Sequence, residues 1–248
     1  MKEYLLNKQY GLGLLAIFVL LVAPMSLLVS HIDLLGDVST FTGLFFTALT
    51  DSAGSKGFII TLTCLLAISW KVIDSPKMFL AKCIQLAVIL VIGFAAKTGL
   101  KQMTESPRPY TELLSHQLLI PQPTHFYNLN STQQAEVIDK ISQQVSPWRT
   151  RHWQGEKDYS FPSGHTIFAA ICVAFFGGLF IQSGQYGLAV ILTVWAVGVA
   201  YSRLWLGMHR PIDLIGSISF ICAVYLLIPQ FDRLSEKVLT KLPILAHK

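Results

Sequence analysis

The residues TIFAAICVAFFGGLFIQSGQYGLAVILTVWAVGVAYS, Thr166 to Ser202, form a run of 37 with no Asp, Glu, Lys, Arg or His. One membrane crossing takes about 20 apolar residues, so the run is too long for a single helix. Its middle, Gln182-Ser-Gly-Gln-Tyr-Gly187, carries turn chemistry. The stretch reads as a hairpin of two membrane helices.

The rest of the 248-residue chain agrees with that reading. Its residues are 52% hydrophobic and only 13% charged, whereas soluble domains carry roughly 25% charged residues. Such an apolar excess needs lipid. Six spans of about 20 residues fit the length and leave about half the chain for loops and tails. The net charge of +5 comes without a basic block or a basic stripe interleaved with aromatics, which argues for bilayer lipids and against nucleic acid as the partner. Cys64, Cys83, Cys172 and Cys222 all lie in apolar runs without CxxC spacing, so neither a disulfide framework nor a zinc site is indicated.

Gly11 to Ser30 is expected to be a retained first span, bent at Pro24, with Lys2 and Lys8 before it. The second is expected from about Ser52 to Trp70, the third from about Met78 to Leu100, and the sixth from Ile212 to Pro229. Gln102 to Phe161 is the one sizeable polar region, with helical patterning around Thr132 to Gln144. It reads as an extramembrane cap within a single all-α, polytopic domain spanning 1–248. The cap is too poor in periodic apolar residues for an independent core. Nine Lys and Arg residues lie in the amino terminus, the turn around Lys71, Lys77 and Lys82, and the tail from Arg233 to Lys248, whereas His31 to Asp51 holds none. The positive-inside rule places those basic segments in the cytoplasm and the cap on the other face.

Three polar clusters stand at the membrane boundary: Lys101 to Pro109, Pro162-Ser-Gly-His165, and Ser202 to Asp213. The hairpin crosses twice, so it returns the chain to the face where the first cluster already sits. Lys101, Arg108, Arg203, His165, His209 and Asp213 should assemble there. Buried charge of one sign is costly without a partner, so the set lacks an anion. A phosphate monoester brings close to two negative charges, which two guanidinium forks and a lysine suit. Ser163 and Gly164 open a helix, where a cap hydroxyl and free N–H groups favour an anion. His209 and Asp213 are four apart on one helical turn, so the carboxylate can hold the imidazole Nδ1–H and leave Nε2 as nucleophile. His165 is then the candidate acid.

K-x6-RP at Lys101 to Pro109, PSGH at Pro162 to His165 and SR-x5-H-x3-D at Ser202 to Asp213 together resemble the three-part signature of the type 2 phosphatidic acid phosphatases, the lipid phosphate phosphatases. The resemblance covers the expected six-helix core. It implies that His209 forms a phosphohistidine, His165 is acid and then base, Asp213 orients His209, and Lys101, Arg108, Ser163, Gly164 and Arg203 hold phosphate oxygens, without a metal or other cofactor. A narrower resemblance, in the cap's length, Phe126 to Leu129 and Arg151 to Gln154, is to the phosphatidylglycerophosphatase branch of the Gram-negative inner membrane. That branch implies a periplasmic active site acting on phosphatidylglycerophosphate, phosphatidic and lysophosphatidic acids, diacylglycerol pyrophosphate and undecaprenyl pyrophosphate.

Plainer readings stand beside these. Each cation alone is an ordinary snorkelling anchor; only their register with two histidines favours phosphate. Lys97, one turn before Lys101, either adds field to the site or snorkels. His209, Asp213 and His165 could complete a metal site, but the neighbouring cations would repel a dication. His31, His116, His125 and His247 read as solvated or interfacial, and Trp148 to Trp153 as an interfacial belt. Arg210 has no role in this reading, and nothing specifies an oligomeric state. A dedicated undecaprenyl pyrophosphate phosphatase and a protein that only binds or transports lipid phosphates remain rival functions.

Overall fold

The computed structural model describes residues 8–25, 27, 32–229 and 231–241, and among them there is no strand. In chain order the helices used below are α1 (Gln9–Val22, continued by a 3-10 turn to Met25), α2 (Thr40–Ala53), α3 (Phe58–Val72), α4 (Pro76–Thr104), α5 (Pro109–His116), α6 (Ser131–Ile141) and α7 (Pro147–Gly155), followed by α8 (Gly164–Gln182), α9 (Tyr186–Trp205), α10 (Pro211–Leu227) and α11 (Asp232–Lys241). His31, His247 and the ends of the expected first span and tail lie outside the described residues.

The hairpin is α8 and α9. Helix α8 passes through a π-helical turn at Val173–Gly177 and ends at Gln182. Gly184 supplies the positive φ of 72° that reverses the chain. Helix α8 is the centre of the molecule: Ile167 to Phe176 are all buried, packed against α1, α9 and α10 in one apolar core.

Six clear spans are not what the structure contains. Among the described residues three helices are long and apolar enough to cross a membrane, within Pro76–His116, Gly164–Gln182 and Tyr186–Trp205, and a fourth results if α2 and α3, bent by 69° at their break, count as one span. Helices α1 and α10 are apolar but shorter; the 17 residues of α10 give about 25 Å at 1.5 Å per residue, less than a hydrocarbon core of about 30 Å. The expected second span begins only at Phe58. Before it, within the segment expected as a loop, lies helix α2, started by the Ser39 hydroxyl, which accepts the Thr42 N–H at 3.2 Å. At 14 residues it is too short for a test based on span length.

Cap helix α6 falls where the helical patterning was read, opened by an Asn130–Gln133 capping box. The cap has no core of its own. Tyr110, Leu114, Phe126, Ile138, Ile141 and Trp153 cluster with Trp205, Leu206 and Met208, from the end of α9 and the turn after it. The expected interfacial belt is corrected here for Arg149, His152 and Trp153, which are buried, whereas Arg151 is exposed. Trp153 is fully buried, its Nε1 donates to Leu206 O at 2.7 Å, and Tyr110 stacks on it at 5.0 Å. Arg149 is also buried, donating to the carbonyls of Asp33 and Leu34 at 2.8 Å. These side chains join cap to body because their polar ends find backbone carbonyls inside the protein.

Candidate active site

The three boundary clusters meet. Lys101 stands in the last turn of α4, Arg108 at the start of α5, Ser163 at the cap of α8, Arg203 in the last turn of α9 and Asp213 in the first turn of α10. Arg108, Ser163, Arg203, His209 and Asp213 are each at most 1% exposed, and Lys101 is 6% exposed. A cavity of about 690 Å³ reaches Lys101 and His209, and Gly54, Phe58, Phe94, Lys97, His152, Glu156, Asp158, Gly164 and His165 also line it; Arg108, Ser163, Arg203 and Asp213 lie behind that lining.

His209 Nδ1 lies 3.3 Å from Asp213 Oδ2 and 3.3 Å from Ser160 Oγ, and Arg108 Nη1 lies 3.3 Å from His209 Nε2. Arginine only donates. Nε2 must therefore present its lone pair, and Nδ1 carries the proton toward Asp213. Burial first, then the charges of Arg108 and Arg203, hold the His209 imidazole well below its ordinary range, so it is neutral and nucleophilic. Asp213 Oδ2 also accepts the Arg210 N–H at 2.8 Å and the Ser160 hydroxyl. The Arg210 side chain has a strapping role: it donates to Pro107 O and to Glu112 Oε1, tying the third cluster to the first.

Ser163 is spent partly on structure. Its N–H donates to Ser217 Oγ at 2.9 Å, and its Oγ accepts from Thr166 N at 3.3 Å and Thr166 Oγ1 at 3.0 Å, which leaves the hydroxyl hydrogen for an outside acceptor. At Gly164 an added Cβ would stand 3.0 Å from Lys97 Cδ and 3.4 Å from its Nζ, so the lysine would have to give by a few tenths of an ångström. Lys97 thus lies beside the cavity, its ammonium 5.8 Å from the Phe94 ring. His165 faces the break between α2 and α3, where a Cβ on Gly54 would meet its Nε2 at 2.7 Å.

One expectation is corrected. The cations are not without an anion, because the cap supplies two. Glu156 accepts from Arg203 Nη2 at 2.8 Å through each carboxylate oxygen and from Arg108 Nη2 at 3.3 Å, with His165 Nε2 at 3.9 Å. Asp158 takes Arg108 Nη2 at 2.6 Å and Lys101 Nζ at 3.1 Å. Burial opposes ionisation of Glu156, but Arg203 above all outweighs it and holds the carboxyl well below the ordinary carboxylate range; Asp158 is lowered in the same way, chiefly by Arg108. Among the described residues no three His, Cys, Asp or Glu side chains are grouped to hold a metal ion.

The sequence profile of the PAP2 superfamily matches residues 82–235. The chain belongs to the PAP2 superfamily. Over 175 residues it is 34% identical to phosphatidylglycerophosphatase B of Haemophilus influenzae, covering 67% of this chain and 72% of the relative. Over 133 residues it is 35% identical to phosphatidylglycerophosphatase B of Escherichia coli strain K12, covering 52% of each chain, so it spans about half the length of that relative. PAP2 membership and these relatives make the chain a phosphatase, a phosphoric monoester hydrolase.

Glu156, Asp158, Ser160 and Ser217 are polar partners of the PAP2 motifs that motif reading missed. For the first three a signal existed: two acids and a serine immediately precede PSGH, and a buried cation cluster requires negative charge from somewhere. Ser217 carries no comparable signal, because one serine in an apolar helix is ordinary.

Proposed function

We propose that the chain removes phosphate from membrane lipid phosphates through a phosphohistidine on His209. The observation that carries this reading is the neutral His209, Nε2 lone pair turned toward Arg108 and Nδ1 backed by Asp213, beside buried Arg203 and Lys101.

His209 Nε2 attacks phosphorus, the P–O bond to the lipid breaks, and the leaving oxygen takes a proton from His165. Lys101, Arg108, Arg203, the Ser163 hydroxyl and the Gly164 N–H stabilise the charge on the transferring group. His165 then takes a proton from water as its oxygen attacks phosphorus, the P–Nε2 bond breaks, and phosphate departs with His209 neutral again. Asp213 steadies the imidazolium throughout.

The substrates are phosphatidylglycerophosphate, phosphatidic and lysophosphatidic acids, diacylglycerol pyrophosphate and undecaprenyl pyrophosphate. The enzyme sits in the bacterial inner membrane with α1 and α10 completing six crossings and the 102–161 cap on the periplasmic face. Phe58 and Phe94 give the cavity an apolar side for the lipid end, since withdrawing acyl chains from the bilayer costs about 0.8 kcal/mol per CH₂. Phosphate release from this lipid panel by purified protein in excess chelator tests the reading. Turnover should persist without metal and vanish in His209→Ala; normal turnover by that variant rules the mechanism out.

A further inference from the structure

Glu156 touches all three motifs at once: Arg203 through two 2.8 Å bonds, Arg108 at 3.3 Å and His165 at 3.9 Å. Its oxygens accept from one nitrogen of each arginine, Nη2 of Arg203 and Nη2 of Arg108, and phosphate oxygens can take the same charge-assisted bonds. The two partners differ in freedom. The side chains of Arg108 and Arg203 are 1% and 0% exposed, whereas those of Glu156 and Asp158 are 31% and 56% exposed. Both acids lie on the non-helical segment after α7, and at Gly155, which precedes it, an added Cβ would meet nothing within 4 Å. The cations form a buried receptor whose Arg108 Nε also holds the Asp158 carbonyl at 2.8 Å, so the segment's backbone stays in place and its two carboxylates, the more exposed partners, are what can leave.

Charge supports the same conclusion. Glu156 and Asp158 bring two negative charges, and a phosphate monoester dianion brings nearly two. Exchanging one for the other leaves the buried cations matched. A singly charged diester would displace two charges and return one, at the cost of an uncompensated buried cation.

We infer that Glu156 and Asp158 are an internal stand-in for substrate phosphate, displaced when phosphate enters and returning to drive product phosphate out, so that they set the charge threshold for binding. The inference rests on the phosphatase reading for its substrate, but displacement itself is a property of the anion site. An internal competitor lowers the apparent affinity of whatever must displace it. Glu156 therefore determines specificity without entering the chemistry.

The test is equilibrium binding of ³²P-orthophosphate to the full-length chain in detergent, with Glu156→Gln and Asp158→Asn compared with the unsubstituted protein. Glu156→Gln should bind phosphate at least tenfold tighter and show stronger product inhibition; Asp158→Asn should move the same way by a smaller factor. Equal or weaker binding in Glu156→Gln overturns the inference, because a carboxylate that only organised Arg108 and Arg203 would weaken phosphate binding when removed. A second measurement does not depend on how those variants fold. In Lys157→Cys, phosphate at concentrations that inhibit hydrolysis should speed alkylation at position 157 several-fold, as read by peptide mass spectrometry, and an unchanged rate counts against displacement. Tighter binding by Glu156→Gln without hydrolysis of any ester by the native chain would sink the phosphatase reading and leave displacement standing. Hydrolysis without tighter binding would do the reverse.

Discussion

Asp213 Oδ2 is shared by His209 Nδ1, the Arg210 N–H and the Ser160 hydroxyl, while Oδ1 has no partner among the described residues. An asparagine can keep that arrangement, with its carbonyl oxygen at the crowded position and its amide at the other. Asp213→Asn would thus preserve geometry and remove only the charge that stabilises the imidazolium. We expect kcat to fall by about 10²-fold or more with KM nearly unchanged, measured as steady-state phosphate release beside a thermal melt showing an intact fold. A loss confined to KM would mean that Asp213 acts only in assembling the site. The PAP2 motif residues were legible in the sequence because each is a fixed type at a fixed spacing. Glu156 and Ser160 were legible only as polar residues just before PSGH; which groups they meet was not, because those contacts are made by an irregular segment whose path no periodicity encodes.

At the scale of elements, the hairpin was readable from its length and absence of charge, and α4 from a long apolar run, Cys83 to Ala96, between lysines near its two ends. Helix α2 was not: its 14 residues are too few for a crossing, and its Thr-rich composition without Lys or Arg looks the same in a loop. Yet the break after it positions chemistry. Gly54 lies between α2 and α3, and a methyl there would fall 2.7 Å from His165 Nε2 and 3.3 Å from Thr50 O. The imidazole can swing away, so the fold should survive. His165, the proposed acid, would then no longer reach the leaving oxygen in line. Gly54→Ala is expected to melt within a few degrees of the native protein while losing about 10²-fold in kcat. If activity is unchanged, His165 does not work from the position it holds here.

For the whole molecule, the net charge of +5 is less telling than where opposite charges are buried together. Cap and body meet at a polar seam that includes His152, 8% exposed and without a partner for its Nε2 among the described residues. Burial first, then Arg203, pushes the His152 imidazole down to about 4, with Arg151 acting the same way and Asp51 and Glu156 opposing. The folded protein keeps this group neutral where the unfolded chain, with an ordinary histidine value near 6.5, takes up a proton. Between those values the unfolded state binds more protons, so stability rises with pH there and is lost as pH falls from about 6.5 toward 4. His209, also held neutral by burial, acts in the same sense. The carboxyl of Glu156, lowered in the fold, keeps its full stabilising contribution above the ordinary carboxylate value and loses it progressively as the pH falls from there toward its folded value. The share from His152 alone approaches about 3 kcal/mol across the window. Thermal melts of the detergent-solubilised protein from pH 7.5 to 4.5 should show the midpoint falling with acidification, and His152→Asn should flatten that fall while leaving the neutral-pH midpoint within a few degrees. A slope that is the same in the variant would mean that His152 gains its proton without opening the seam between cap and body.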